Sequence, residues 1–284
     1  MIRKKIQKCA VIFGIFLTFS ILAFTFNNGI PTFTDNFELR DEGDNLQISA
    51  TYIDIEINAL ATINTTKSGN WTWAKDNGYC TGFGTPEDPY VIQGHIFDNG
   101  GAFDDCLRIL NSRVNFIIKD CIFRNSDNMD SGLYLYNVTN GVISNNFMYT
   151  CLRGIELIFV NNTEINGNHI YGNTEGLRMS NSHHNMISNN NVSINVNHGM
   201  YFLQSTFNTI SNNFANEIES LNGITLTSSS DNNIISSNTA NLNGENGIDA
   251  SSCDDLVIQY NTVYGNTLKG IIVDGGANLY CADN

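Results

Sequence analysis

Between about residue 111 and residue 274 the chain runs in segments of three to five residues with apolar side chains at alternate positions. None is long enough for a helix, and no period of about 3.6 residues is present. One stretch reads Asn185-Met-Ile187-Ser-Asn-Asn190, a polar run, then Gly199-Met-Tyr-Phe202. The next reads Asn208-Thr-Ile210-Ser-Asn-Asn213, a polar run, then Gly223-Ile-Thr-Leu226. Gly132, Gly154, Gly176, Gly199, Gly223, Gly247 and Gly270 recur every 22 to 24 residues. Asn146, Asn168, Asn190, Asn213, Asn238 and Asn261 recur every 22 to 25. Two columns that drift together over six copies are an internal repeat.

Short strands at this period predict an all-β fold, a right-handed single-stranded parallel β-helix of about seven rungs of 22–25 residues. Successive rungs stack about 4.8 Å apart. Ile143, Ile165, Ile187, Ile210, Ile235 and Ile258 are expected to point inward. A second inner wall is expected from Leu133/Leu135, Ile155/Leu157, Leu177/Met179, Met200/Phe202, Ile224/Leu226 and Ile248/Ala250. The anchor glycines suit a positive φ or a tight turn before a strand. Stacked asparagine amides can donate to one neighbour and accept from the other, a structural role rather than a catalytic one. A leucine-rich repeat needs L-x-x-L-x-L with a following helical turn, and a calcium-binding β-roll needs G-G-x-G-x-D; neither pattern is here.

Ahead of the repeats, Arg3, Lys4, Lys5 and Lys8 precede an apolar run from Ala10 to Phe26. This N-terminal hydrophobic helix, within residues 1–26, suits a signal peptide or a membrane anchor. Residues 27–49 read as a polar spacer, 50–100 as an N-terminal cap of the β-helix and 101–284 as its repeats. Trp71 and Trp73 fall in the cap; the alternative is that they form a sugar-stacking platform. The last rung carries no polar capping segment, so the expectation is either a truncated chain or another chain covering this end, as in end-to-end association.

The net charge of −14, with only 14 Lys and Arg, excludes nucleic acid binding, which needs a basic patch. Polyanionic glycans would be repelled without an intervening cation. The 44 asparagines include sequons at Asn64, Asn70, Asn137, Asn161 and Asn191, consistent with an exported or cell-surface chain. Cys80, Cys106, Cys121, Cys151, Cys253 and Cys281 match no zinc spacing; at most one or two disulfides near the N-terminal end are expected.

The segment Cys80-Thr-Gly-Phe-Gly-Thr-Pro-Glu-Asp-Pro-Tyr-Val-Ile92, with the repeats that follow it, resembles the right-handed parallel β-helix family of NosD-like and carbohydrate-binding/sugar-hydrolase domains. The resemblance covers roughly residues 60–280 and implies the fold. The family includes binders, accessory proteins, lyases and glycosidases, so it does not select an activity. For NosD itself it implies copper delivery in the periplasm, which would need a His/Met/Cys cluster. His183-His184 is the one dense pair, and adjacent strand residues face opposite ways.

The residue between the two inner ones of each glycine-led strand points outward: Tyr134, Glu156, Arg178, Tyr201, Thr225, Asp249 and Ile272. Two tyrosines bracketing Glu156 and Arg178 suit a sugar, with ring faces for its rings and charges for its hydroxyls. The plainer reading is a solvated face with one Glu156–Arg178 pair. Polysaccharide-cleaving sites need paired carboxylates at fixed separation. The doublets Asp104-Asp105 and Asp254-Asp255 lie about six rungs apart, and Asn197-His198-Gly199 lacks the companion motifs of polygalacturonases. A lyase would need clustered Asp for calcium beside an Arg or Lys base; Arg178 and Lys269 lie about four rungs apart, and beside Arg178 stand only Glu156 and Glu175. The expectation is a secreted or membrane-tethered β-helix that binds glycans or surface proteins through Tyr134, Glu156, Arg178, Tyr201 and Asp249, with no cofactor and no catalytic residue. A polysaccharide lyase or glycoside hydrolase is the alternative, and a structural spacer or adhesin the second.

Overall fold

The computed structural model describes residues 50–284 apart from 53, 103 and 127–129. The apolar run 10–26 and the spacer 27–49 lie outside the described residues. Among those described, no helix is long and apolar enough to cross a membrane.

All pairings between the named strands are parallel, and they build three sheets. One turn shows the path. Ser131–Tyr136 lies in the first wall, Gly141–Ser144 in the second and Phe147–Tyr149 in the third; Arg153–Ile158 then re-enters the first wall beside Ser131–Tyr136. The first wall holds ten strands, the second nine and the third five. Past His169–Ile170 the third wall continues as single bridges, His169 to Asn191, Phe214, Thr239 and Thr262. From Ile55–Asn58 to Ile271–Asp274 the first wall counts nine successive main-coil strands, with Ser68–Gly69 as the tenth at one edge. The fold is therefore a parallel β-solenoid of about eight turns rather than seven. The added turns come from strands Ile55–Asn58 and Tyr90–Gln93, inside the segment read from sequence as a cap.

The core follows the predicted stacks. Ile143, Ile165, Ile187, Ile210, Ile235 and Ile258 are at most 1% exposed, and their strands pair so that each lies on the next. Burying one such side chain contributes roughly 1.5–3 kcal/mol. Phe97 and Phe123 stack in the third wall with centroids 4.9 Å apart. The short helix Trp71–Asp76, capped by the Asn70 side chain on Trp73 N, packs both tryptophans inward. Trp71 lies flat against Tyr90 at 4.7 Å and donates its indole N–H to Ser112 Oγ at 3.0 Å. Their rings are core, so neither offers an open face to a sugar.

The asparagine column behaves as a ladder. Each Nδ2 donates to the Oδ1 one turn on, from Asn146 to Asn168 at 2.9 Å through to Asn261 and Asn284 at 2.8 Å. The same Oδ1 accepts the backbone N–H of the preceding asparagine. The other Nδ2 hydrogen reaches a carbonyl of the turn before, Ile165 O in the case of Asn190. Every polar atom of the buried amide is thereby satisfied.

The anchor glycines differ from expectation. Gly132, Gly154, Gly176 and Gly199 lie within strands, Gly223, Gly247 and Gly270 directly before one, and none has a positive φ. A Cβ on Gly176 would stand 2.5 Å from Gly199 O and 2.3 Å from Val192 Cγ1. Glycine is needed there because the next turn's backbone approaches too closely for any side chain. Among the described residues six cysteines are free, five buried and Cys281 exposed, and no bridge is formed.

Candidate functional site

The outward column is continuous. Strand register places Tyr134 beside Glu156, Glu156 beside Arg178, Arg178 beside Tyr201, then Thr225, Asp249 and Ile272 in turn. Arg108 and Glu56 extend it at the N-terminal end. A second column runs parallel to it: Ser131, Arg153, Glu175 and His198 pair strand by strand. Alternation hides this column. In Arg153–Ile158 both Gly154 and Ile155 are buried, so Arg153 faces out despite sharing parity with the inward Ile155 and Leu157. The close packing at the glycine breaks the period of two.

The two columns are wired together. Arg153 donates from Nε to Glu175 Oε2 at 3.0 Å and from Nη1 to Glu156 Oε2 at 3.1 Å. Arg178 reaches Glu175 at 3.3 Å. The simple Glu156–Arg178 pair is thus replaced by a diagonal network in which Glu175 is shared by two guanidiniums. The Arg178 guanidinium lies 5.2 Å from the centre of the Tyr201 ring, and His198 sits against the same ring at 5.0 Å. Thr225 Oγ1 contacts His198 Nδ1 at 3.2 Å and accepts from Asn222 Nδ2 at 3.1 Å. Asp249 accepts from Ser251 Oγ at 2.6 Å. Burial holds the His198 imidazole below its usual range, against the opposing pull of Glu175.

At the N-terminal end of the face the Asp104-Asp105 doublet divides. Asp104 pairs with Arg108 at 2.7 Å, whereas Asp105 turns in and accepts the Ser131 N–H at 2.6 Å. Ser131 Oγ donates to Glu156 Oε2 at 3.1 Å, so one serine holds two carboxylates. Burial pushes the Asp105 carboxyl up to about 6, with the Ser131 N–H acting against it. Burial, then the nearby Glu156 and Asp105 charges, raise the Tyr134 phenol. No sequence signal marks Asp105 apart from Asp104.

The histidine pair does not converge. His183 Nδ1 is 2.8 Å from Thr206 Oγ1, while His184 stacks on Phe207 with centroids 5.1 Å apart.

Fold and face define a parallel β-solenoid with a preorganised polar strip down one sheet. The chain belongs to the NosD family: the family described as periplasmic copper-binding protein (NosD) matches residues 27–221 and 194–284. No curated protein sequence matches it. Among solved structures it is similar to a double mutant of the periplasmic alginate epimerase AlgG, at 16% identity and TM-score 0.54. That match covers 82% of this chain and 68% of the epimerase chain. The D317A mutant of AlgG matches at 16% identity and TM-score 0.55, covering 82% of this chain and 58% of that one. The enzymatically active domain of bacteriophage CBA120 tailspike protein 2 matches at 14% identity and TM-score 0.51, over 63% of this chain and 32% of that one. At these identities the shared property is the fold.

The family description raises copper. Among the described residues no group of three His, Cys, Asp or Glu comes together to hold a metal ion. His183 is engaged with Thr206, His184 lies flat on Phe207, and burial pushes the Cys121 thiol up to about 12, away from the thiolate a metal needs. The described residues do not fit a copper centre.

Proposed function

We propose that this chain is an extracytoplasmic β-solenoid that binds saccharide chains along the outward face from Tyr134 to Asp249, without altering them. The observation that carries the reading is the double column in register, with Arg153, Glu156, Glu175 and Arg178 already paired to one another. A face whose charges are fixed before binding loses little conformational freedom when a ligand arrives. Its carboxylate oxygens and guanidinium N–H groups are the partners that sugar hydroxyls use. The periplasmic descriptions of NosD and of AlgG support a location outside the cytoplasm. A glycan array tests the reading, with Tyr134→Ala, Arg178→Ala and Tyr201→Ala as controls. A set of glycans whose binding falls in these variants is expected. No binding, or binding indifferent to all three changes, would sink the proposal.

A second reading, a polysaccharide-modifying enzyme, draws on one observation. Asp105, with its carboxyl raised to about 6, and Glu156, paired with Arg153, are joined through Ser131. Two carboxyls in environments that favour different protonation states can divide acid and base roles. Release of reducing ends or unsaturated products from any polysaccharide, abolished by Glu156→Gln, would establish that reading over the first.

A further inference from the structure

The turns that join the first wall to the second expose aromatic rings at backbone positions that suit them poorly. Phe159 and Phe207 have φ of 56° and 57° and are 45% and 52% exposed. Bulky side chains seldom enter this left-handed region, whereas asparagine takes it with little strain. The neighbouring turns obey that rule. Asn137 and Asn181 flank Phe159 in its column with φ of 54° and 50°. Asn162, His184 and Asn232 share the column of Phe207 with φ of 50°, 57° and 58°. At Phe159 and Phe207 the chain therefore accepts both backbone strain and an exposed apolar ring, and burial compensates neither.

The rings are organised across successive turns. Tyr136 meets Phe159 edge to face at 5.7 Å, and His184 stacks on Phe207 at 5.1 Å with planes 12° apart. Phe159 and Phe207 stand two turns apart, about 10 Å along the axis. Around them, residues 137–140, 159–163, 181–185 and 204–208 include no Asp, Glu, Lys or Arg. Asn162, Asn181 and Gln204 offer side-chain amides instead. The sheet face is the opposite case: it is charged, and its Tyr201 ring already lies against Arg178 and His198.

We propose that this edge is a second saccharide site, specific for neutral sugars, in which Phe159 and Phe207 each stack one ring and the turn amides bond its hydroxyls. Arg113, a cation that reaches these turns, is already engaged by Asn137 O and Oδ1 at 3.1 and 2.7 Å, so a charged ligand meets no open counter-ion among the turn residues. An apolar protein partner would leave the amides of Asn162, Asn181 and Gln204 buried and unpaired. The proposal deepens the carbohydrate reading above and rests on it.

The test is calorimetric titration of the whole chain with cellohexaose and laminarihexaose, using hexagalacturonate as the charged control, for wild type, Phe159→Asn, Phe207→Asn and the double variant. Each single change should weaken binding of a neutral probe about tenfold, the value of one lost stacking contact. The melting temperature should hold or rise, because asparagine relieves the strained φ; a purely structural phenylalanine would give the opposite result. Binding within twofold of wild type in the double variant would overturn the proposal. So would preference for hexagalacturonate, or self-association in sedimentation that the double change abolishes. Array binding that needs Tyr201 and Arg178 but ignores both phenylalanines would end this inference and leave the face proposal standing; a blank array would end both.

Discussion

Of the asparagine ladders along this solenoid, two follow neighbouring walls and differ in one respect: one is unbroken and the other is not. The column from Asn146 to Asn284 bonds amide to amide at every turn. The column that follows the third wall starts at Cys151, continues through Asn173 and Asn195, is interrupted by Ile218, and resumes at Asn243 and Asn266. At the interruption Asn195 Nδ2 turns to carbonyls of its own turn, Val192 at 3.0 Å and Ser193 at 3.3 Å. The ladder is therefore a sum of nearest-neighbour bonds. A missing member is tolerated where local carbonyls take over the freed donors and an apolar side chain fills the space, as expected for a structure whose turns interact mainly with their neighbours.

Deleting a member of the unbroken ladder should have the largest effect. Asn190→Ala removes the acceptor of Asn168 N and Nδ2 and the donor to Ile165 O and Asn213 Oδ1. Several buried polar groups then lack partners, for an expected loss of about 4 kcal/mol in urea unfolding. A loss below 1 kcal/mol would mean that the amides are not coupled. Gly176→Ala should be next at about 3 kcal/mol, since its Cβ would meet backbone that cannot retreat, and the melting temperature reports it.

Asp105 gives a pH signature of about 2–3 kcal/mol. Burial raises its folded carboxyl to about 6, above the unfolded value near 4. The neutral acid therefore favours the fold at low pH, and that stability is lost as pH rises through 6. Asp105→Asn should accordingly gain on wild type between pH 4 and 7; a constant difference across that range would contradict the burial. Ile218→Asn, the reciprocal of the first change, should move stability by no more than about 1 kcal/mol, because a restored ladder offsets the lost apolar burial. Arg178→Ala should be smallest, about 0–1 kcal/mol in stability, as partly exposed ion pairs contribute little. Its effect belongs in the glycan assay.

Contacts between residues related by one period were legible in the sequence. Ile143 to Ile258, Asn146 to Asn261 and Tyr134 to Asp249 align in space as their spacing says, because each parallel rung sets residue i beside its counterpart one repeat on. What depends on position within a rung was less legible. The alignment of Arg153, Glu175 and His198 as a second outward column escaped because Gly154 and its equivalents put two buried residues in succession and shift the parity of the strand. Phe159 and Phe207 escaped because a turn's φ is not written in hydrophobic periodicity.

The architecture was thus written in the residue pattern: a repeat near 23 residues, its inward isoleucines, its amide column and one outward column. The tertiary structure decided why the glycines are required, how Ser131 joins Asp105 to Glu156, how Arg153 and Arg178 share Glu175, and which aromatic rings stand open. The physical reason is one of range. A repeat encodes contacts between equivalent positions, whereas hydrogen bonds, ion pairs and exposure among non-equivalent positions exist only after neighbouring turns have been brought into register.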